Sequence, residues 1–243
     1  MKSNHKEYVT KDSVARIEDI LTSSDTNYEE VDSIPSRDKL TFTNGFYVNC
    51  SCVFIDIRDS SKLPDKYLRP TLGKIYRTFV SECVAVINAS EECREVNIHG
   101  DAVWGVFNTP YKPDINATFS VAARLSSVVD ILNCRYAKKT NNIKPITVGI
   151  GVAYGRALMI KAGYNGSGIN DVVWMGDVVN QASNLCGHGN ATYSDREIMV
   201  SNGFYSNLND TNQGLLQENY THDCYHGNVV NTSMNDWVKE NCG

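Results

Sequence analysis

Arg94-Glu-Val-Asn-Ile-His-Gly-Asp-Ala-Val-Trp-Gly-Val-Phe107 decides how this 243-residue chain folds. Val96, Ile98, Val103 and Val106 are β-formers, and His99-Gly100 between them includes a residue that takes positive φ without strain. The stretch therefore predicts two short strands folded on a tight turn, with Asp101 immediately after it. Upstream, Ser51-Cys-Val-Phe-Ile-Asp56-Ile-Arg-Asp-Ser-Ser61 is an apolar strand that also ends on an aspartate followed by a short loop. Alternation along a strand sends Val53, Ile55 and Ile57 into a core and Phe54 with Asp56 to the other face. If hairpin and strand are neighbours in one sheet, Asp56 and Asp101 meet. Two carboxylates brought together cannot both stay ionised cheaply without a cation between them, and a carboxylate-only cluster suits Mg²⁺ or Mn²⁺.

Composition bounds the partners. The chain is long enough for one large domain with a full core. Its 28 acidic against 23 basic residues leave a net charge of −5, which argues against nucleic acid as a partner. With no run of 18 apolar residues and no apolar stretch behind Met1-Lys2, the sequence predicts a cytoplasmic protein without membrane span or signal peptide. Eight cysteines (Cys50, Cys52, Cys83, Cys93, Cys134, Cys186, Cys224, Cys242) lack C-x-x-C pairing and fall largely in apolar segments. They read as reduced core residues with neither a disulfide nor a metal role.

Residues 1–45 form a polar extension whose helical pattern (Val14, Ile17, Ile20, Leu21) is too short to be stable alone. It is frayed, or packed on the main domain or a partner subunit. After the strand Val48–Ile57, Ser60 or Ser61 is expected to cap a helix over Lys66–Asn88, with Leu68, Leu72, Ile75, Phe79, Val80, Cys83, Val86 and Ile87 in one stripe. A loop feeding a helix N-terminus suits phosphate, which makes Arg58, Ser60 and Ser61 candidate ligands. Pro110 and Pro113 mark a linker, Ile115–Arg135 a second helix, and Ile146–Tyr154 a strand continuing extended over Ala157–Ala162. A glycine-rich loop at residues 163–170 follows. Gly176-Asp177 then opens a helix over Val178–Leu185, with a further strand at Glu197–Val200. Residues 46–205 make the domain, and 206–243 a polar tail completing it. This order implies an α+β architecture, a mainly antiparallel sheet flanked by helices. His99, His188 and His226 lack triad-like partners and receive no catalytic role, while Trp104 and Trp174 read as core or dimer-interface residues.

Four motifs now stand in register: Phe54-x-Asp56-Ile57, Gly100-Asp101 with Val106-Phe107, Val148-Gly-Ile-Gly151 with Gly155-Arg156, and Gly176-Asp-x-Val-Asn180-x-Ala182-Ser183. In order and spacing, residues 48–200 resemble class III nucleotidyl cyclase catalytic domains. The resemblance implies a ferredoxin-like, palm-type βαββαβ core in a head-to-tail homodimer with shared active sites. It implies attack of a ribose 3′-hydroxyl on the α-phosphorus of a nucleoside triphosphate, releasing pyrophosphate. It also implies that Asp56, the Ile57 carbonyl and Asp101 hold two Mg²⁺ or Mn²⁺ ions, that Arg156 binds phosphate, and that Asn180 orients the ribose from the partner subunit. The physics agrees, since such ions lower the pKa of the attacking hydroxyl and neutralise the triphosphate.

The departures point further. Where purine-using members carry lysine or glutamate this chain has Asn97, and where they carry aspartate, threonine or cysteine it has Val173. A purine-reading pair is dismantled. Asn184 stands where the family has a transition-state arginine, and the late phosphate-binding lysine is missing from Asp223-Cys-Tyr-His-Gly-Asn228, so either another cation substitutes, with Arg58, Lys62 and Lys161 as candidates, or the protein is slow. An intact metal pair with altered base contacts resembles the bacterial pyrimidine cyclases of the Pycsar antiphage system. These make cyclic UMP or cyclic CMP from UTP or CTP as an alarm for a separate effector. Tyr47, Phe54 or Tyr154 is an aromatic able to stack the small base. The rival readings are an adenylate or guanylate cyclase with unusual base contacts, and a catalytically weak nucleotide-binding module.

Overall fold

The computed structural model describes residues 2–139 and 143–242. It begins with helix α1 (Thr10–Leu21), strand β1 (Tyr28–Val31), the long strand β2 (Gly45–Ile57), and helices α2 (Leu63–Lys66) and α3 (Arg69–Asn88). The hairpin β3 (Cys93–His99) and β4 (Ala102–Phe107) follows, then α4 (Lys112–Lys139), β5 (Val148–Tyr164), β6 (Ile169–Met175) and α5 (Asp177–His188). The last part holds β7 (Ile198–Val200), α6 (Asn202–Tyr205), α7 (Asp210–Gln213), β8 (Gln217–Asn219), β9 (Cys224–Gly227) and α8 (Thr232–Cys242).

β2 and β5 form the spine, paired antiparallel from Gly45↔Ile160 to Ile57↔Val148. At one end the sheet runs β3-β4-β2-β5-β7-β9-β8; at the other, β1 joins β2 and β6 joins β5 to make an arm. Only β1–β2 and β5–β7 are parallel among the described pairings. Val53, Ile55 and Ile57 pack with Val148, Ile150 and Val152 under α3 and α4, which contribute Ile75, Phe79, Phe119 and Leu125. Burying one such side chain contributes about 1.5–3 kcal/mol, so this face holds most of the stability. On the opposite face Phe46, Val48, Cys50 and Cys52 meet Trp104, Met159, Trp174 and, from α5, Val178 and Ala182. α5 lies so close that a Cβ on Gly149 would sit 2.1 Å from the Cys186 carbonyl oxygen, and one on Gly151 2.0 Å from that of Ala182. The Gly-Ile-Gly motif is therefore the seat of a helix.

Several expectations are corrected. Leu68 is 81% exposed and precedes α3, which starts at Arg69 because Pro70, having no N–H, suits a first turn. Neither Ser60 nor Ser61 caps that helix; both lie in a 3₁₀ turn entered through Asp59 at φ 55°. Pro113 sits inside the first turn of α4 rather than in a linker. β5 runs unbroken through Gly155-Arg156, because β6 pairs with its second half and shortens the glycine-rich loop to residues 165–168. α4 is long and apolar enough by composition to cross a membrane, yet 67% of that stretch is buried, as a core helix requires. The reading of all cysteines as reduced fails at one pair: Cys134 and Cys242 form a disulfide joining α4 to α8, with Cα atoms 5.7 Å apart. They are 108 residues apart in sequence and meet only because α8 folds back on α4. The other six cysteines are free.

Both extensions enter the sheet, the first through β1 and the last through β8 and β9. α1 keeps Val14, Ile17, Ile20 and Leu21 exposed. It is held to the tip of the arm by Asn4 donating to the Ser167 carbonyl and by Arg16 lying 4.6 Å over the Tyr164 ring.

Candidate active site

The hairpin turn falls on Gly100-Asp101, since His99 pairs with Ala102 and Gly100 takes φ 66°. Because β4 pairs with β2 up to Ile55↔Val103, that turn projects beside the end of β2, where Asp56 points away from the main core. The two carboxyls come into contact. Burial, and after it the Asp101 carboxyl, push Asp56 up to about 6, against the opposing effects of the Arg58 charge and the Ile57 N–H. Asp101 Oδ2 is buried and has no donor. Ionised carboxylates only accept hydrogen bonds, so this pair is satisfied by a shared proton or by a cation.

Two helix residues close the same corner. The Tyr76 hydroxyl from α3 is held above its ordinary range by burial and then by the charges of Asp101 and Asp56, while a hydrogen bond with Ser60 works the other way. From α5, Cys186 donates to the Gly149 carbonyl at 3.1 Å, and its thiol is pushed up to about 12 by burial and then by Asp56. Arg58 donates through Nη1 to the carbonyls of Gly187 (2.6 Å) and Gly189 (3.4 Å), covering the negative end of α5. That commits it to the helix end, although its Nε is buried without a partner. Lys62 pairs with Asp59 at 2.8 Å, and Lys161 lies 5.2 Å over the Phe42 ring, so neither stands as an unengaged cation.

Among the described residues no three His, Cys, Asp or Glu side chains converge as a metal cluster. The donor set here is different: two carboxylates, one with an oxygen lacking a partner, at the end of a strand whose last carbonyl belongs to Ile57. Oxygen-only donors and an unbalanced buried acid fit a hard divalent cation.

The remaining candidates lie beside this corner or away from it. Phe54 stacks on Trp104 with centroids 4.9 Å apart, and Trp104 Nε1 donates to His99 Nδ1 at 3.2 Å. Asn97 faces Trp104 across the hairpin, and its Nδ2 is buried without an acceptor. Tyr154 packs against the main core on the other side of the sheet. Val173, 38% exposed, alternates away from Trp174 and so faces away from Asn97. Arg156 is on the same face as Tyr154 by alternation; it stacks 3.9 Å over Tyr47 and pairs with Glu30 of β1. It lines a cavity of about 300 Å³ with Tyr47, Met175 and Asp177. Asn180 is exposed on the outer side of α5 and lines a second cavity of about 340 Å³, which shares Asp177. Neither cavity includes Asp56 or Asp101. Within one chain, then, Asp56, Ile57, Arg58, Ser60 and Asp101 gather at one corner, while Arg156, Asn180 and Val173 sit on other surfaces.

No family model matches the sequence. The uridylate cyclase of Gulbenkiania mobilis is 40% identical to it over 99% of this chain and 100% of that one. The chain belongs to the uridylate cyclase family. The uridylate cyclase of Treponema porcinum is 36% identical, covering 96% of this chain and 82% of the relative. The adenylyl cyclase CyaB of P. aeruginosa has a similar fold, with a TM-score of 0.60 at 19% identity over 72% of this chain and 85% of its own. The α+β class III cyclase fold expected from the motifs is the fold observed.

In this uridylate cyclase family member, Tyr76 and Cys186 are corner residues that the sequence reading did not single out. Tyr76 lies beside a helical stripe of apolar residues and Cys186 within one, so each reads locally as packing. The unpartnered Asn97 amide and Asp101 oxygen are visible only once the sheet is assembled.

Proposed function

We propose that this protein converts UTP to 3′,5′-cyclic UMP and pyrophosphate, working with Mg²⁺ or Mn²⁺ in a head-to-tail homodimer. The contact between Asp56 and Asp101 carries the chemistry, and the near full-length relatives named uridylate cyclase support uridine as the base. In the reaction the ribose 3′-oxygen loses its proton and bonds to the α-phosphorus, the bridging oxygen to the β-phosphorus departs, and pyrophosphate leaves. Asp56, Asp101 and the Ile57 carbonyl hold the divalent ions, which when bound lower the pKa of the attacking hydroxyl and offset the triphosphate charge.

The other residues bind and orient. The Phe54–Trp104 stack gives the corner an apolar wall that keeps water from the reacting atoms. The unpaired Asn97 Nδ2 is a donor suited to a uracil carbonyl, and leaving it unpaired costs about 1–3 kcal/mol. Val173 presents no polar group, so a purine amine or carbonyl finds no partner there. Asn180, exposed on α5, reaches the ribose of the site on the partner subunit, and Arg156 holds phosphate when it exchanges Glu30 for the substrate. Ser60 and Ser61 offer hydroxyls and N–H groups in the turn after Asp59. In this reading the product is a cytoplasmic antiphage signal of the Pycsar type, read by a separate effector.

The test is to incubate the purified protein with ATP, GTP, CTP and UTP in turn with Mn²⁺ and to separate the products. Cyclic UMP with pyrophosphate is expected. Cyclic AMP or cyclic GMP as the main product, or no cyclic nucleotide from any of the four, would overturn the proposal. Subunit sharing is checked by mixing inactive Asp56→Ala and Asn180→Ala proteins: activity returns if each supplies what the other lacks, and mixed dimers without activity contradict it.

A further inference from the structure

The outer side of α5 carries more than Asn180. Asp177, Asn180, Asn184 and His188 recur there at three- and four-residue spacing, and with His222 and Asp223 from the β8–β9 turn they line the cavity of about 340 Å³. Its lining contains neither lysine nor arginine, so its cation-forming groups are the two imidazoles. They stack with centroids 3.9 Å apart. His222 Nε2 is 3.3 Å from Oδ1 of Asp195, whose side chain is only 2% exposed. That carboxylate also accepts from Thr192 at 2.6 Å and from Asn219 at 3.1 Å. A buried carboxylate behind an imidazole fixes the orientation of the ring, here with Nε2 committed and Nδ1 left for a ligand.

Two carboxylates, Asp177 and Asp223, line the same cavity. Asp223 accepts from Asn202 at 3.2 Å on both its carbonyl and Oδ1, and Asp177 sits in the first turn of α5, where the helix dipole favours an acid. His226 bonds to Asn219 at 3.0 Å and accepts from the Arg196 N–H at 3.3 Å, within the same network behind Asp195.

We infer that His188 and His222 form a phosphate-binding pair, taking up triphosphate charge as the α-phosphorus is attacked, from the helix face that brings Asn180 to the ribose. This rests on the cyclase reading. One turn before His188 the face carries Asn184, an amide without charge, and transferring phosphoryl groups need a cation at low reorganisation cost.

His188 ends α5 and is half-buried, so replacing it leaves the core intact. Cyclisation of UTP with Mn²⁺ is measured from about pH 6 to pH 9, across the imidazole range. The parent protein loses kcat as pH rises. His188→Ala lowers kcat at pH 6 about 10²-fold with a smaller change in KM, and His188→Arg restores kcat and flattens the alkaline fall. Unchanged kcat in both His188→Ala and His222→Gln, or a loss in His188→Ala that arginine does not restore, overturns the pair. A parent protein that forms no cyclic nucleotide fails the cyclase reading instead. Binding of inorganic tripolyphosphate at pH 6, followed by calorimetry, then decides the pair alone: weakening of tenfold or more in His188→Ala upholds it, and equal binding refutes it.

Discussion

The two ends of the β2–β5 spine treat charge in opposite ways. At the arm two guanidiniums have their acids: Arg37 grips Glu95 with two bonds of 2.6 and 2.7 Å and Asp171 at 2.8 Å, and Arg156 pairs with Glu30. At the other end two acids press together, Asp56 is driven up to about 6, and Asp101 Oδ2 lacks a donor. An exposed pair such as Arg156–Glu30 contributes about 0–1 kcal/mol, and the buried Glu95 carboxylate is already met by two donors from Arg37, so neither asks for anything more. Unbalanced, half-buried acids are unfavourable in the free protein and become favourable when a cation arrives. The contrast locates chemistry at the end where the polar groups are left unmatched.

The largest effect should follow from removing either acid. Asp56→Ala or Asp101→Ala is expected to lower formation of cyclic UMP by about 10³-fold or more, roughly 4 kcal/mol of transition-state stabilisation. A product assay with Mn²⁺ checks this, and activity within about tenfold of the parent breaks the comparison. Next comes the seat of α5. Gly151→Ala forces a Cβ to within 2.0 Å of the Ala182 carbonyl oxygen and should destabilise the fold by about 3 kcal/mol in denaturant unfolding.

A smaller effect separates function from stability. Asp56 titrates near 6 when folded, above its ordinary value of 3.8, so its contribution is most favourable at acid pH and is lost as pH rises through that window. Asp56→Asn should therefore stabilise the metal-free protein at pH 7 by about 1 kcal/mol after allowance for solvent screening. Thermal unfolding against pH shows it as a variant whose advantage disappears below about pH 4 and reverses with saturating Mn²⁺. The smallest effect belongs to the arm: Glu30→Gln should change stability by less than about 0.5 kcal/mol. A loss above 1 kcal/mol would mean that the arm's pairs are not the ordinary surface contacts they resemble.

The acidic corner is readable from sequence because its determinants are local. Alternation orients Asp56, and a glycine turn places Asp101 beside the strand that must cover the core. The helix starts were less readable, since Ser60-Ser61 offers plausible caps while Pro70 sets the actual first turn. β1, β8 and β9 are short and polar, so no period marks them; they exist because β2 and β7 offer free edges. The Cys134–Cys242 bond and the His188–His222–Asp195 cluster join residues far apart in sequence. Nothing in the spacing announces either. The same holds for Arg156, whose place in a motif is plain but whose pairing with Glu30 depends on β1 joining the sheet.

The account is tested most directly by titrating Mn²⁺ into the native protein and into Asp56→Asn and Asp101→Asn, each with a non-cyclisable UTP analogue, and following the ion by electron paramagnetic resonance. The prediction is saturable binding to the native protein that weakens about 100-fold or more in each variant while the fold is retained. Binding of equal strength in all three proteins would contradict it, because the ions would then be held by the nucleotide or by other residues.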